Sequence, residues 1–177
     1  MEALLAALEP EFGPAKLFRP YRDVRFRKDK TPYKTAAAAA IGDDVHGGLY
    51  VQLSADGLLV AGGAHGLATD QARRLREAAA DDRTGSALVR VLDALRADGW
   101  TIEAERLKRV PKEFPAEHPR ADLLTCKTLF AARRHEPAEW MHDAAAAARV
   151  AADWRALLPL NAWLRDHVGP PHAPRTG

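Results

Sequence analysis

The chain has 177 residues, 47% hydrophobic and 28% charged, with a formal net charge of +2, which suits one globular domain around a single core. No apolar run approaches the roughly 20 residues of a membrane-spanning helix, and the acidic start "MEALLAALEPEFG" lacks the basic region of a secretory signal, so a cytoplasmic protein without membrane association is expected. The lone cysteine, Cys126, excludes an internal disulfide and a multi-cysteine zinc site.

The small net charge conceals an asymmetry. Residues 16–34 hold eight Lys and Arg against two Asp, a net +6, which leaves −4 on the remainder. In chain order, "EALLAALE" places Leu4, Leu5 and Leu8 at helical spacing, and Pro10, Gly13 and Pro14 are expected to end that helix. Within the basic stretch, "DVRFR" alternates as a half-buried strand, with Val24 and Phe26 on one side. "KDKTPYK" reads as a turn, because Pro32 biases Thr31 away from helical angles. The run "TAAAAAIG" is read as a strand that joins the hairpin "GGLYVQLSADGLLVAGG", whose turn lies at Ala55-Asp56-Gly57. Its small side chains leave room for something bulky over that part of the sheet.

The period then changes. "ATDQARRLREAAADD" predicts a helix capped by Thr69 or Asp70, and "TGSALVRVLDALRADG" a second with the stripe Leu88, Val91, Leu92 and Leu95, closed by Gly99. "WTIEAERLK" is a candidate strand, followed by a proline-stiffened loop, a helical turn near residues 120–124 and a strand near 128–132. Two helices, "PAEWMHDAAAAARVAADWRAL" and "LPLNAWLRDHV", are expected to split at Pro159. Residues 1–168 form one domain, and the tail 169–177, "GPPHAPRTG", is expected to be disordered. Strands grouped early and helices late predict an α+β fold, an antiparallel sheet with helices packed on one face.

Three stretches carry candidate chemistry. In "RPYRDVRFRKDKTPYK", Arg22, Arg25, Lys28, Lys30 and Lys34 offer guanidinium forks and point charges for phosphate or carboxylate. Tyr33 offers a stacking face or a hydroxyl, and Tyr21 and Phe26 are further stacking candidates. The competing reading is a solvated strand and loop paired with carboxylates of the acidic body, Phe26 being core. In "KRVPKEFPAEHPRADLLTCK", Lys108, Lys112, His118, Arg120 and Lys127 lie close together on a loop that its prolines pre-shape, and histidine titrates near neutral pH; the competing reading is an ordinary surface loop. The glycines of "AGGAHG" match neither a Walker A pattern nor a dinucleotide fingerprint, and more simply end a strand or allow close approach. The remaining histidines show no metal-ligand spacing, no cofactor is implied, and Cys126 beside Leu124 and Leu129 reads as a buried, inert thiol.

The strings "YRDVRFRKDKTPYKT", "GGLYVQLSADGLLVAGG" and "LKRVPKEFPAEHPRADLLTCKTL" together resemble an uncharacterised family, domain of unknown function 2461, over most of the chain. The resemblance implies a stand-alone α+β domain with no established substrate. It makes Arg22, Asp23, Arg25, Phe26, Lys28, Asp29, Lys30, Pro32, Tyr33 and Lys34 family residues, with Lys108, Pro111, Lys112, His118, Pro119, Arg120 and Lys127 in the later motif. It also implies a further N-terminal segment in relatives, ahead of the helix at Met1, and a peripheral role for Arg27.

The leading functional expectation is an anion-binding domain for a phosphate-bearing ligand, nucleotide or nucleic acid. Its basic groove would have Arg22, Arg25 and Lys28 on one wall and Lys112, His118 and Arg120 on the other. The alternatives are an enzyme acting on a phosphorylated or carboxylated small molecule, with His118 moving protons, and a structural or protein-interaction module whose basic residues form internal ion pairs. No nucleophile–base pair is visible, and nothing in the sequence fixes the oligomeric state.

Overall fold

The computed structural model describes residues 1–19, 36–42 and 48–171. Strands β1 (Lys16–Leu17), β2 (Ala36–Ile41), β3 (Gly48–Ser54), β4 (Gly57–Ala64), β5 (Thr101–Glu103) and β6 (Leu129–His135) form one sheet among the described residues. Its order is β1-β2-β3-β4-β6-β5, every neighbouring pair antiparallel. The alanine run is indeed a strand, in register with β3 through Ala39↔Val51. Alanine's helical advantage is at most about 0.7 kcal/mol per residue over ordinary residues, and sheet context overrides it. The hairpin closes at Ser54↔Gly57, where Gly57 has φ +105°, an angle that suits glycine at a tight turn.

Five helices complete the α+β fold among the described residues: α1 (Glu2–Phe12), α2 (Thr69–Ala80), α3 (Asp82–Ala97), α4 (Ala121–Leu124) and α5 (Ala145–His167), with a 3-10 turn at Glu139–His142. Strand alternation sends Val51, Val60, Ala64, Leu129 and Ala131 into the core, where α5 crosses β3 and β4. Gly62 permits the close crossing, since a Cβ there would lie 2.9 Å from Leu157 Cδ1. The Trp154 indole donates to the Tyr50 carbonyl at 3.2 Å and the Trp163 indole to the Thr84 carbonyl at 2.9 Å, fixing α5 to both the sheet and α3.

Three local expectations are corrected. The N-terminal helix ends at Gly13 as expected, its N–H donating to the Glu9 carbonyl at 2.9 Å, but Pro10 does not stop it, since it runs on to Phe12. The two C-terminal helices are one, since α5 runs through Pro159. An interior proline costs about 3 kcal/mol, but Trp154, Leu157, Leu160 and Leu164 are almost fully buried on either side of it. Burial of each such side chain stabilises by about 1.5–3 kcal/mol. Pro159 itself lies on the exposed side. Finally, α2 is capped neither by Thr69 nor by Asp70: Ala68 is the N-cap, and its N–H donates to Gln71 Oε1 at 3.0 Å. Asp81 caps α3, accepting from the N–H groups of Arg83 at 3.0 Å and Thr84 at 2.8 Å.

Candidate functional site

Helices cover one face of the sheet, and the opposite face carries a cavity of about 440 Å³. Register fixes its shape. One row runs Tyr50↔Ala61↔Ala132, the next Gly48↔Gly63↔Phe130, and Leu59↔Arg134 lies on the other side of the first. The floor of the cavity, Ala61, Ala132 and the two glycines, thus has no side chain larger than a methyl group. Aromatic groups rise on two sides. Phe18 meets Tyr50 with ring centroids 6.2 Å apart, and His65 meets Phe130 at 5.3 Å. Glu103, paired in register with Phe130, stands at one end, and Arg134 at the other. A second cleft of about 470 Å³ shares His65, Glu103 and Phe130 and continues toward Glu105, Arg106 and Thr128.

Neighbouring arginines on β6 meet opposite fates because strand side chains alternate. Arg134 points into the open cavity and makes no ion pair with a described residue. Arg133 faces the core and donates to Asp153 Oδ1 at 2.7 Å and Asp98 Oδ2 at 2.8 Å, with its guanidinium 4.4 Å from the Trp100 ring centroid. His135, two residues on and on the same side, meets the other Asp153 oxygen at 2.6 Å and packs edge-on against Trp140. The Asp153 side chain is 6% exposed. The Arg133 guanidinium, with help from the Trp100 indole, holds the Asp98 carboxyl below the usual aspartate range.

Of the residues singled out from the sequence, Arg22, Arg25, Lys28, Lys30, Tyr33 and Lys34 lie outside the described residues, as do the "DVRFR" strand, the "KDKTPYK" turn and the tail from residue 172. The chain stops being described after Arg19 and resumes at Ala36. Both points lie at the Arg134 end of the sheet, given the pairings Leu17↔Ala39, Ala36↔Ser54 and Leu59↔Arg134.

Lys112, His118 and Arg120 belong to a loop whose base is clamped by the Arg106↔Cys126 bridge and by Lys127 N–H donating to the Glu105 carbonyl at 2.7 Å. That base adjoins the Glu103 end. The described residues that flank residues 20–35 and the base of this loop therefore lie at opposite ends of β6, roughly 20 Å apart. Lys112 is exposed. His118 accepts the Arg120 N–H on Nδ1 at 3.1 Å, which shapes the turn. The Arg120 guanidinium donates to the carbonyls of Ala79 at 2.7 Å and Ala80 at 2.8 Å and to Asp82 at 2.9 Å. It thereby satisfies the last carbonyls of α2, and Gly85 makes room for it, since a Cβ there would lie 2.6 Å from Arg120 Nε.

Sequence reading missed the open-face cavity and the Arg133–Asp153–His135 cluster. A signal for both was present in "LFAARRH", where alternation puts Arg133 and His135 on the side of Leu129 and Ala131, and Arg134 on the side of Phe130. Cys126 is buried as expected, and that burial pushes its thiol pKa up despite the opposing charge of Arg106. Among the described residues no group of three His, Cys, Asp or Glu is arranged to hold a metal ion, and no helix is long and apolar enough to cross a membrane.

An antiparallel sheet with helices packed on one face defines an α+β domain. Residues 1–163 match the family described as conserved hypothetical protein (DUF2461), and the chain belongs to that family, whose function is unknown. No curated protein and no solved structure matches the chain.

Proposed function

We propose that the protein binds a small molecule bearing a phosphate or carboxylate group on the open face of its sheet, with the anion at the Arg134 end. The observation that carries this reading is the Arg134 guanidinium, which makes no ion pair among the described residues, at the rim of a cavity of about 440 Å³, a size typical of small-molecule sites. Arg19 and Ala36, between which the sequence holds six Lys and Arg against two Asp, both lie at that end. Arg120 is left out of the ligand contacts because its donors are taken up by α2 and Asp82.

A thermal-shift panel of phosphorylated and carboxylated metabolites, followed by calorimetry, tests the reading. A ligand at 100 times its Kd stabilises by about 2.7 kcal/mol, equivalent to a melting-temperature rise of roughly 5–10 °C for a chain of this size. Arg134→Gln is expected to abolish most of that rise. A panel without any shift, or a shift that survives Arg134→Gln intact, counts against the proposal. Oligonucleotide binding that weakens steeply with salt would instead assign the site to a nucleic-acid backbone.

A further inference from the structure

We infer that the outer groove between α3 and α5 seats a second copy of this chain, in a two-fold dimer whose α3 helices cross the axis antiparallel. The inference stands apart from the ligand reading, since this groove lies among the helices and not on the open face of the sheet.

The groove follows from residue size. On α3, Ala87, Val91 and Ala94 recur at spacings of four and three, which puts them on one stripe of the helix. Leu95 beside them forms the buried floor, and α5 contributes Ala156 and Pro159, three positions apart. Three of these six residues are alanine, so the two helices leave between them a hollow of about 460 Å³ that larger side chains would close. The outward side of a surface helix is ordinarily polar. Here Ala94 and Pro159 are exposed and Ala87, Val91 and Ala156 only half-buried, so the monomer leaves apolar surface uncovered.

The charges in the groove select what covers it. Arg90 and Asp98 are the two charged residues of its lining. They stand eight positions apart, about 12 Å along a helix, with Asp98 as the C-cap of α3. Arg90 is exposed and makes no ion pair among the described residues. Asp98 takes Arg133 at 2.8 Å and the Trp100 indole at 3.2 Å, both on Oδ2, so its other oxygen can accept a further donor. A uniformly acidic or basic partner meets like charge at one end of this groove. A second copy turned about a two-fold axis brings Asp98 of the partner subunit to Arg90 and Arg90 of the partner subunit to Asp98. Such an isologous interface matches both ends at once. The axis then passes near Ala94, midway between the two in sequence, where a methyl group lets the two helices approach to about 8 Å.

Sedimentation equilibrium on the full chain, from about 5 to about 500 µM, tests the inference, because an interface built on one helical groove dissociates in the micromolar range. A reversible monomer–dimer equilibrium is expected. Ala94→Arg replaces an exposed residue, so the monomer should keep its thermal melt. It sets like charges against each other across the axis, and the dimer Kd should rise about a hundred-fold or more. Arg90→Glu should raise the Kd about ten-fold at low salt, a difference that about 0.5 M NaCl largely removes. Arg83→Glu makes the same charge change on α3 outside the groove and should leave the Kd unaltered. A chain that stays monomeric over the whole range overturns the inference. So does a dimer that survives Ala94→Arg, since it then assembles through another surface. A dimer lost in Ala94→Arg but indifferent to Arg90→Glu overturns the antiparallel pairing, and growth beyond the dimer overturns the closed two-fold.

Discussion

Asp153→Asn tests the energetics of the sheet–helix interface. Asp153 is the shared anion of a cluster in which Arg133 and His135 approach its two oxygens at 2.7 and 2.6 Å. Its side chain is 6% exposed, while those of Arg133 and His135 are 21% and 23% exposed, so solvent screens the group only weakly. Asparagine preserves shape and one acceptor but removes the charge, leaving Arg133 and the imidazole side by side without it. Removing one partner of a buried ion pair costs about 3–5 kcal/mol. The lower end applies here, because Arg133 keeps Asp98 and its stacking on Trp100. A loss of about 3 kcal/mol lowers the melting temperature of a chain this long by roughly 6–12 °C. Urea unfolding followed by tryptophan fluorescence should show a lower midpoint with an unchanged slope. Asp98→Asn is the control: Asp98 is 63% exposed, and its loss should be clearly the smaller. If Asp153→Asn costs no more than Asp98→Asn, the cluster is not holding α5 to the sheet and the reasoning fails.

Further outcomes follow from contacts away from the cavity. Gly85→Ala would put a methyl 2.2 Å from the Ala79 carbonyl and 2.6 Å from Arg120 Nε; a destabilisation of roughly 2 kcal/mol is expected, less than additive with Arg120→Met in a double-mutant cycle because both disturb the same cap. Hydrogen bonds from Thr84 hold the Asp81 carboxyl below its usual range, so its contribution is complete above about pH 4 and disappears as pH falls through the lower folded value. Asp81→Ala should therefore lower the urea midpoint at pH 6, and the gap to the parent should narrow toward pH 2. The Cys126 thiol, buried and with its pKa raised, is expected to resist thiol reagents at pH 8 until urea unfolds the chain; rapid stoichiometric labelling of the native protein would contradict that burial.

Much of the fold was readable from period and punctuation. The alternation of "LYVQL" and "LLVAG", the turn at Ala55-Asp56-Gly57 and the stripe of α3 all come from local rules, and each element lies where those rules put it. Failures occurred where tertiary packing outweighs local preference. Pro10 and Pro159 break helices in isolation, but burial on both sides of Pro159 carries α5 through it. Arg120 illustrates the same limit for function: nothing in its local sequence tells that the carbonyls of Ala79 and Ala80, some forty positions away, would take up its donors. The open-face cavity depends on which strand lies next to which. The pairing of β4 with β6 across the α2 and α3 insertion cannot be read from either strand alone.

Strand β4 serves two masters. Val60, Gly62 and Ala64 lie beneath α5, while Leu59 and Ala61 of the same backbone line the hollow on the far side. Any molecule that grips the hollow must press on the very ribbon that supports the long helix. Occupancy should thus be felt throughout the domain as slower hydrogen exchange of β4 amides, even of those that face away from the bound molecule.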